Sequence, residues 1–244
     1  DSQLALFLLH KVLGCRRGVR ITAITVDEGI AGYRQSTIPK VQELCSRLGL
    51  AHEIVSFEEA TKMTLDQMVS RTGEEEACTY CGVFRRRCLN LKAKEIGVDV
   101  LALGHNLDDM AQSILMNFMR GDVERLARLG PHERVQPGLV PRVQPLRLIP
   151  EKETYLYALL AELPFSDAEC PYAVYALRNE YREIVSDMER KHPGTRHSIL
   201  GSYDRLRPLM RDGFPQATLN ECECGEPTLN QRCMACEMLR RLEK

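Results

Sequence analysis

Apolar residues in this chain recur with two periods that alternate along the sequence. Continuous apolar runs typical of buried strands occur at 19–26, 52–57 and 98–103. Apolar residues three or four positions apart predict helices at 3–13, 36–48, 58–70, 83–96 and 106–120. Strands that alternate with helices form βαβ units, so the pattern predicts an α/β fold with a mainly parallel, Rossmann-like sheet.

Local signals refine several of these elements. Ser2 is a candidate N-cap for the first helix, and Gly14 a candidate stop. The helix after Asn106 has an apolar face for which we expect Ala111, Ile114, Leu115 and Phe118. Glycines and prolines between 128 and 142 indicate a loop. The second half then reads as an edge strand at 145–149 and helices at 151–163, 173–191 and 197–210.

Three predicted loops are expected at one end of the sheet. They carry Asp1-Ser2, Asp27-Gly29 and Gly104-His105. Open α/β sheets bind ligands in the crevice beyond the carboxyl ends of their strands. The three loops therefore predict one nucleotide pocket.

The charge balance limits how the protein can bind nucleic acid. The formal net charge is −1 over 244 residues, so a basic field over the whole molecule is excluded and any nucleic-acid contact must come from a local patch. The sequence also has no apolar run long enough to cross a bilayer and no signal-peptide pattern. We therefore expect a cytoplasmic protein that does not engage a membrane.

Ten cysteines are many for a chain of this kind, and most of them are clustered. Without a secretory signal, metal binding or redox chemistry is favoured over disulfides. Cys15, Cys45 and Cys88 lie in apolar or helical patterns, and we expect these three to be small core residues.

One cysteine pair, Cys78 and Cys81, has CxxC spacing and is followed by arginines that favour thiolate. The pair could equally be half of a structural zinc site or two ordinary core thiols. Cys170, in a loop before a helix, is the remaining candidate for a third ligand, although alone it would be an unremarkable thiol. Three cysteines on a [4Fe–4S] cluster would leave one iron without a protein ligand.

The tail contains a second set of cysteines: Cys222, Cys224, Cys233 and Cys236. Four thiolates can bind zinc tetrahedrally. Cys222 and Cys224 have one intervening residue rather than two, which makes Cys222 the least secure ligand. The sequence predicts a small C-terminal zinc knuckle over 215–244, after a domain over 1–214.

Acidic residues begin the helix after Gly104. Asp108 and Asp109 lie in its first turn, where carboxylates complement the helix dipole. The functional interpretation is that Asp109 engages Mg²⁺ or a nucleotide. Position alone leaves both open.

These motifs together resemble one known family. The segments 78–86 (CTYCGVFRR), 104–112 (GHNLDDMAQ) and 116–122 (MNFMRGD) are similar to the TtcA/TtuA tRNA-thiolation enzymes, and the likeness covers nearly the whole chain. These are PP-loop ATP pyrophosphatases of the adenine nucleotide α-hydrolase type. The resemblance implies the cofactors ATP, Mg²⁺, a [4Fe–4S] cluster and Zn²⁺.

The resemblance also assigns residues. Cys78, Cys81 and Cys170 would hold the catalytic cluster. Asp1 and Ser2 would end the phosphate-binding loop, whose start, with an N-terminal zinc knuckle, is expected before Asp1. The other residues expected at ATP are Asp27, Gly29, Arg85, Gly104, His105 and Asp109.

Arginines are the candidate tRNA contacts. We expect Arg86, Arg87 and Arg120 to bind phosphate, because arginine forks match phosphate geometry. Arg125, Arg128, Arg134, Arg142 and Arg147 belong to the same basic region. A solvated helix face would explain these arginines equally well. The helical part at about 150–214 is expected to face tRNA.

The implied reaction is ATP-dependent adenylation of the uridine C2 oxygen, followed by sulfur transfer to give 2-thiouridine. Wobble position 34 is favoured within the family, over T-loop position 54 and cytidine 32. Two different classes of protein stay open as well: a PP-loop amidating or lysidine-type ligase, and a non-enzymatic iron–sulfur or zinc RNA-binding module. Implied partners are tRNA, a sulfur donor (sulfide or a ubiquitin-like thiocarboxylate protein) and a second copy in a homodimer.

Overall fold

A computed structural model describes residues 1–131, 136–214 and 219–243, so Arg134 lies outside the described residues. Its helices are α1 (Ser2–Leu13), α2 (Arg34–Leu48), α3 (Phe57–Thr61), α4 (Leu65–Thr72), α5 (Ala77–Glu95), α6 (Leu107–Met119), α7 (Val123–Arg128), α8 (Glu151–Leu160), α9 (Arg178–Lys191), α10 (Thr195–Gly213) and α11 (Met234–Leu242). Short 3₁₀ helices cover Glu74–Glu76 and Pro171–Tyr175. The strands are β1 (Thr22–Asp27), β2 (Ala51–Ser56), β3 (Leu101–Ala102), β4 (Arg142–Val143), β5 (Asn220–Glu221) and β6 (Pro227–Thr228).

Parallel strand pairing confirms the predicted α/β class. Strand β1 pairs with β2 from Thr22–Ala51 through Asp27–Ser56, and β3 pairs in parallel with β4. The buried Leu101 of β3 packs in one apolar cluster with Ile24 of β1. Only the short β5–β6 hairpin of the tail is antiparallel among the described strands.

Several predicted element boundaries are wrong. The helix expected at 58–70 is two helices, because Lys62 adopts a left-handed φ of 63° and Thr64 starts α4 with a capping box to Gln67. The edge strand expected at 145–149 is a series of turns after β4, and the loop expected from residue 128 is preceded by α7. Helix α1 begins at Ser2, so Asp1 rather than Ser2 is its N-cap.

The largest core cluster joins β1 and the helices that follow the first sheet to the cysteine-rich tail. Phe57, Met68 and Phe84 are fully buried and share this cluster with Met238 and Leu242 of α11. The tail therefore packs on α4 and α5, and Arg71 of α4 donates a 2.7 Å hydrogen bond to the Leu242 carbonyl. The boundary between residues 214 and 215 stays a prediction.

Two of the three cysteines expected in the core are there. Cys45 and Cys88 are buried, but Cys15 is exposed because it follows the end of α1 in a turn. On α6, Ala111 and Ile114 are buried as expected, whereas Phe118 is half exposed. In the described part of the chain, no helix has the length and apolar character that a membrane span requires.

Candidate active site

The cysteine pair at 78 and 81 lies inside a helix. Helix α5 begins at Ala77, so both residues are in its first turns. Residues three apart share one face of a helix, and the helix N-terminus favours negative charge. The two thiols therefore share one side of α5 near the positive end of its dipole.

Cys170 approaches this pair from a distant part of the chain. It immediately precedes the 3₁₀ helix Pro171–Tyr175, which packs on α5. Burial raises the pKa of the Cys78 thiol, and the nearby Cys170 raises it further. Burial likewise raises the pKa of Cys81 to about 11, with Arg85 opposing and Cys170 and Cys78 adding to the rise. The packing of this 3₁₀ helix on α5 thus brings Cys170 to the same region of the fold as the two cysteines of α5.

A buried carboxylate lies behind these cysteines. Glu28, which follows β1, has a side chain with no exposed surface and accepts from Arg34 at 2.6 and 2.7 Å. Arg85 forms an ion pair with the same carboxylate at 2.8 Å. Arg85 also donates a 3.0 Å hydrogen bond to Cys81 Sγ. Glu28 therefore holds two arginines, one of which contacts a candidate cluster ligand.

The charge state of Glu28 follows from these contacts. Burial alone would raise the pKa of Glu28, but hydrogen bonding from Arg34 and the positive charges of Arg85 and Arg34 lower it below its ordinary value overall. The carboxylate is therefore ionised at neutral pH and compensates part of the positive charge beside Cys81.

Beside this network lies a cavity of about 410 Å³. The loop after β1 forms one wall, in which Asp27 accepts a 2.9 Å hydrogen bond from the Gly29 backbone N–H. Gly29 has a φ of 69° and lies so close to Thr64 that a Cβ would be 2.6 Å from the Thr64 Cβ, so only glycine fits. Arg34 and Asp66 also line the cavity, which is large enough for a small-molecule ligand.

The predicted phosphate-binding residues meet a second predicted loop. A Cβ on Gly104 would lie 2.6 Å from the Ser2 backbone, so the loop after β3 touches the start of α1 only because residue 104 is glycine. The Asp1 carboxylate accepts hydrogen bonds from Thr154 Oγ1 at 2.6 Å and Asn106 Nδ2 at 3.1 Å. The backbone amides at this helix N-terminus provide the donors that phosphate requires.

Three polar residues that follow Gly104 in this region, His105, Asp108 and Asp109, differ in their hydrogen-bond and ion-pair partners. Buried Nδ1 of His105 has no hydrogen-bond partner within the described ranges, and burial lowers the His105 pKa, so the ring is neutral at neutral pH. Asp109 completes a capping box with Asn106 and forms a 2.9 Å ion pair with Arg178. Asp108 is buried, pairs with Arg196 at 2.7 Å and accepts from the Glu151 backbone N–H. Asp108 thus joins α6, α8 and α10.

The three arginines predicted to bind tRNA differ from one another. Burial lowers the pKa of the Arg86 guanidinium, and the positive charges of Arg142 and Arg125 lower it further. Arg142 and Arg125 therefore place positive charge near Arg86, which favours binding of an anion there. Arg87 instead donates to the Ala60 carbonyl at 3.2 Å, and Arg120 is an exposed residue at the end of α6.

The four tail cysteines have the geometry of a tetrahedral metal site. Their ligand atoms all lie within 4.8 Å of one another. The Sγ–Sγ distances are 3.8 Å for Cys222–Cys236 and 3.5 Å for Cys224–Cys233. Zinc–sulfur bonds of about 2.3 Å in a tetrahedron place sulfurs about 3.8 Å apart. The donor set fits zinc, and Cys222 lies with the other three despite its one-residue spacing.

Sequence reasoning missed several polar residues of this region. Glu28 lies in the Asp27–Gly29 loop, which the sequence had already placed at the nucleotide pocket, and Arg34 is six residues further on. Their positions in the sequence could therefore have marked both as site residues. Thr154 and Arg178 reach Asp1 and Asp109 from helices far along the chain, and no local pattern marks them.

Comparison with known proteins agrees with this architecture. A family model described as a PP-loop domain matches residues 1–188. The tRNA 2-thiolation protein NcsA of Haloferax volcanii is 38% identical, with 100% of this chain and 79% of that protein covered. The cytoplasmic tRNA 2-thiolation protein 1 of Drosophila mojavensis is 36% identical over 93% of this chain and 66% of that protein.

A solved structure is also similar. The U34-tRNA thiolase NcsA from Methanococcus maripaludis, determined with its [4Fe-4S] cluster, superposes with a TM-score of 0.85 at 35% identity. The match covers 99% of this chain and 77% of that one. The chain therefore belongs to the PP-loop family of tRNA 2-thiolation proteins.

Proposed function

We propose that this protein is an ATP-dependent tRNA-uridine 2-sulfurtransferase that acts on wobble uridine 34 by means of a [4Fe–4S] cluster. The observation that carries the proposal is the packing of the Cys170 segment on α5, the helix that carries Cys78, Cys81 and Arg85, within a PP-loop domain. The similarity to the U34 thiolase NcsA supports position 34 over the T-loop position 54.

ATP serves to activate the base. The uridine C2 oxygen attacks the α-phosphorus, pyrophosphate leaves, and the adenylated oxygen becomes a good leaving group. The amides at the α1 N-terminus, beside Ser2 and Gly104, would hold the phosphates. Sulfide sulfur then attacks C2, AMP departs and a C2=S bond replaces C2=O. The target base must be exposed for this chemistry, which a loop nucleotide allows.

The three cysteines suit a cluster better than a single ion. A single tetrahedral ion needs tightly spaced sulfurs like those of the tail, whereas each thiolate of a cluster binds a different iron. Cys78, Cys81 and Cys170 would hold a [4Fe–4S] cluster with one iron free of protein ligands, and the cluster would supply the sulfur-binding chemistry of the reaction. Arg85 would place positive charge beside the cysteine sulfur and the reacting phosphates.

Two further cofactors belong to the proposal. Zn²⁺ would be held by Cys222, Cys224, Cys233 and Cys236 as a structural ion, since their sulfurs fit a tetrahedron. Mg²⁺ would enter with ATP; Asp109 is the carboxylate predicted for it, and its present partners are Asn106 and Arg178.

The sulfur donor stays a prediction, either sulfide or a ubiquitin-like thiocarboxylate protein. The homodimer stays a prediction as well. A cytoplasmic location is supported by the name of the Drosophila relative. Binding of tRNA follows from the proposed reaction, and the Arg86–Arg125–Arg142 surface is the candidate contact.

Nucleoside analysis tests the proposal. Anaerobically purified protein is incubated with unmodified tRNA, ATP and sulfide, and the digested tRNA is examined by mass spectrometry. We expect 2-thiouridine at position 34 that depends on ATP. Thiolation at position 54 would support a T-loop enzyme. Incorporation of an amine or lysine without sulfur would support the PP-loop ligase, and absence of any ATP-dependent product would support the non-enzymatic RNA-binding module.

A further inference from the structure

The Cys170 loop is anchored by one carboxylate. Asp66, in the first turn of α4, accepts a 2.8 Å hydrogen bond from the Tyr172 hydroxyl through Oδ1. Its second oxygen, Oδ2, accepts a 2.9 Å hydrogen bond from the Ala31 backbone N–H. Both Asp66 and Ala31 line the 410 Å³ cavity. One side chain thus connects the cavity wall to a residue two positions from Cys170.

Cys170 lies in a short segment that side-chain contacts hold in place, and it is itself partly buried against the large core cluster. It lies at the start of a 3₁₀ helix of five residues, and its own side chain makes no cap hydrogen bond. The Tyr172 ring packs against the large core cluster, which holds the ring in place. Its hydroxyl donates the hydrogen bond to Asp66 that fixes this segment relative to α4. Cys78 and Cys81, by contrast, are carried by the nineteen-residue helix α5. Cys170 is therefore the candidate cluster ligand that depends most on side-chain anchoring.

We propose that Asp66 and Tyr172 are positioning residues for the cluster, which hold Cys170 at the distance from Cys78 and Cys81 that three-ligand binding requires. The inference rests on the proposed function, because it takes these cysteines to be cluster ligands. The two hydrogen bonds of Asp66 also connect the Cys170 segment to the loop after β1. The position of Cys170 relative to this loop is therefore fixed.

The same short helix provides a matched control. Tyr175 also contacts a carboxylate, Glu74, through its hydroxyl. That contact is exposed, and neither Tyr175 nor Glu74 lines the cavity. The change Tyr172→Phe removes only the partly buried hydrogen bond to Asp66, and Tyr175→Phe removes an equivalent hydroxyl from the surface. The aromatic ring is kept in both variants, so both are expected to fold.

The test measures iron release from the intact holoprotein. Wild type, Tyr172→Phe and Tyr175→Phe are loaded with cluster without oxygen, and transfer of iron to an excess of ferrous chelator is followed in time. Loss of one hydrogen bond to a charged acceptor predicts roughly tenfold faster release from Tyr172→Phe, and a change within about twofold for Tyr175→Phe. Asp66→Asn, which keeps only one acceptor oxygen, is expected to release iron faster as well.

The outcomes distinguish the positioning role from the proposed function. Equal release rates from Tyr172→Phe and Tyr175→Phe would overturn the positioning role while leaving the proposed function intact. A wild-type protein that binds no iron at all would contradict the proposed function itself. Unfolding midpoints of the cluster-free variants serve as the stability control: we expect a modest decrease for Tyr172→Phe, with every midpoint well above the assay temperature, which excludes global unfolding as the cause of faster release.

Discussion

Arg85 Nη2 lies 3.0 Å from the sulfur of Cys81 and 2.8 Å from Glu28 Oε1. One guanidinium group therefore contacts both a candidate cluster ligand and a carboxylate with no exposed surface. Arg34 binds both carboxylate oxygens of Glu28 and lines the neighbouring cavity. A continuous polar path thus runs from the cavity to the cysteines, and each of its members can be tested.

Replacing Arg85 with alanine is expected to lower thiolation by about 100-fold or more, because a positive charge that stabilises a transition state contributes on that scale. Arg85→Lys keeps the charge but loses the planar fork that reaches both Glu28 and Cys81, so its activity should be intermediate. The measurement is the single-turnover rate of 2-thiouridine formation. Arg47→Ala, a surface change on α2, is the control and should retain wild-type activity.

The change Glu28→Gln is expected to lower the free energy of unfolding by about 2 kcal/mol at neutral pH, because it leaves two arginines without their shared carboxylate. Denaturant titration of cluster-free protein measures this difference. The pKa of Glu28 is lower in the folded protein than its ordinary value of 4.5. Its contribution is therefore present above about pH 4.5 and is lost as the pH falls through the lowered folded value.

The difference in stability between wild type and Glu28→Gln should consequently stay constant across neutral pH and shrink only under acid conditions. An unchanged free energy of unfolding in Glu28→Gln at neutral pH would contradict the structural role of the ion pair. Arg125→Ala breaks an exposed pair with Asp122 and should cost less than about 1 kcal/mol.

Removal of zinc should lower the stability of the packing around α5 as well as that of the tail. Met238 and Leu242 of α11 are buried with Phe84 of α5, the helix that carries Cys78 and Cys81. We expect Cys233→Ser to lower zinc content well below one ion per chain and to lower the unfolding midpoint by about 5–10 °C. Elemental analysis and calorimetry measure the two effects. Cys15→Ser, at an exposed thiol, should change neither.

Arg86 and Arg87 should respond differently although they are adjacent. Arg86 faces other cations, so Arg86→Ala is expected to weaken tRNA binding by about threefold to tenfold and to reduce the salt dependence by roughly one counterion. Arg87 donates to the Ala60 carbonyl, so Arg87→Ala should mainly lower the unfolding midpoint. Binding titrations at several salt concentrations distinguish the two. Equal effects of both changes on binding would contradict this division.

The sequence predicted what depends on local pattern. The α/β alternation, the approach of Gly104 to Ser2 and the tail cysteine set followed from spacing and periodicity. That the Asp27–Gly29 loop joins Gly104 and Ser2 in one nucleotide pocket stays a prediction. The break between α3 and α4 was also readable, since Thr64 and Gln67 form a capping box three residues apart, but the continuous apolar pattern concealed it.

Side-chain contacts between residues far apart in the sequence could not be predicted from the sequence. Arg178 pairs with Asp109 and Thr154 binds Asp1 only because separate helices pack together, and no local periodicity encodes those contacts. Cys170 could be singled out as a third ligand, but its proximity to Cys78 and Cys81 depends on how the 3₁₀ helix packs on α5. The anchoring of Tyr172 by Asp66 likewise needed the fold.

The requirement for three cysteines is tested most directly by thiolation with Cys170→Ala after anaerobic cluster loading. Cys15→Ala, at an exposed thiol after α1, is the matched control. We expect Cys170→Ala to form no 2-thiouridine at position 34, whereas Cys15→Ala keeps wild-type activity. Full thiolation by Cys170→Ala would contradict the account.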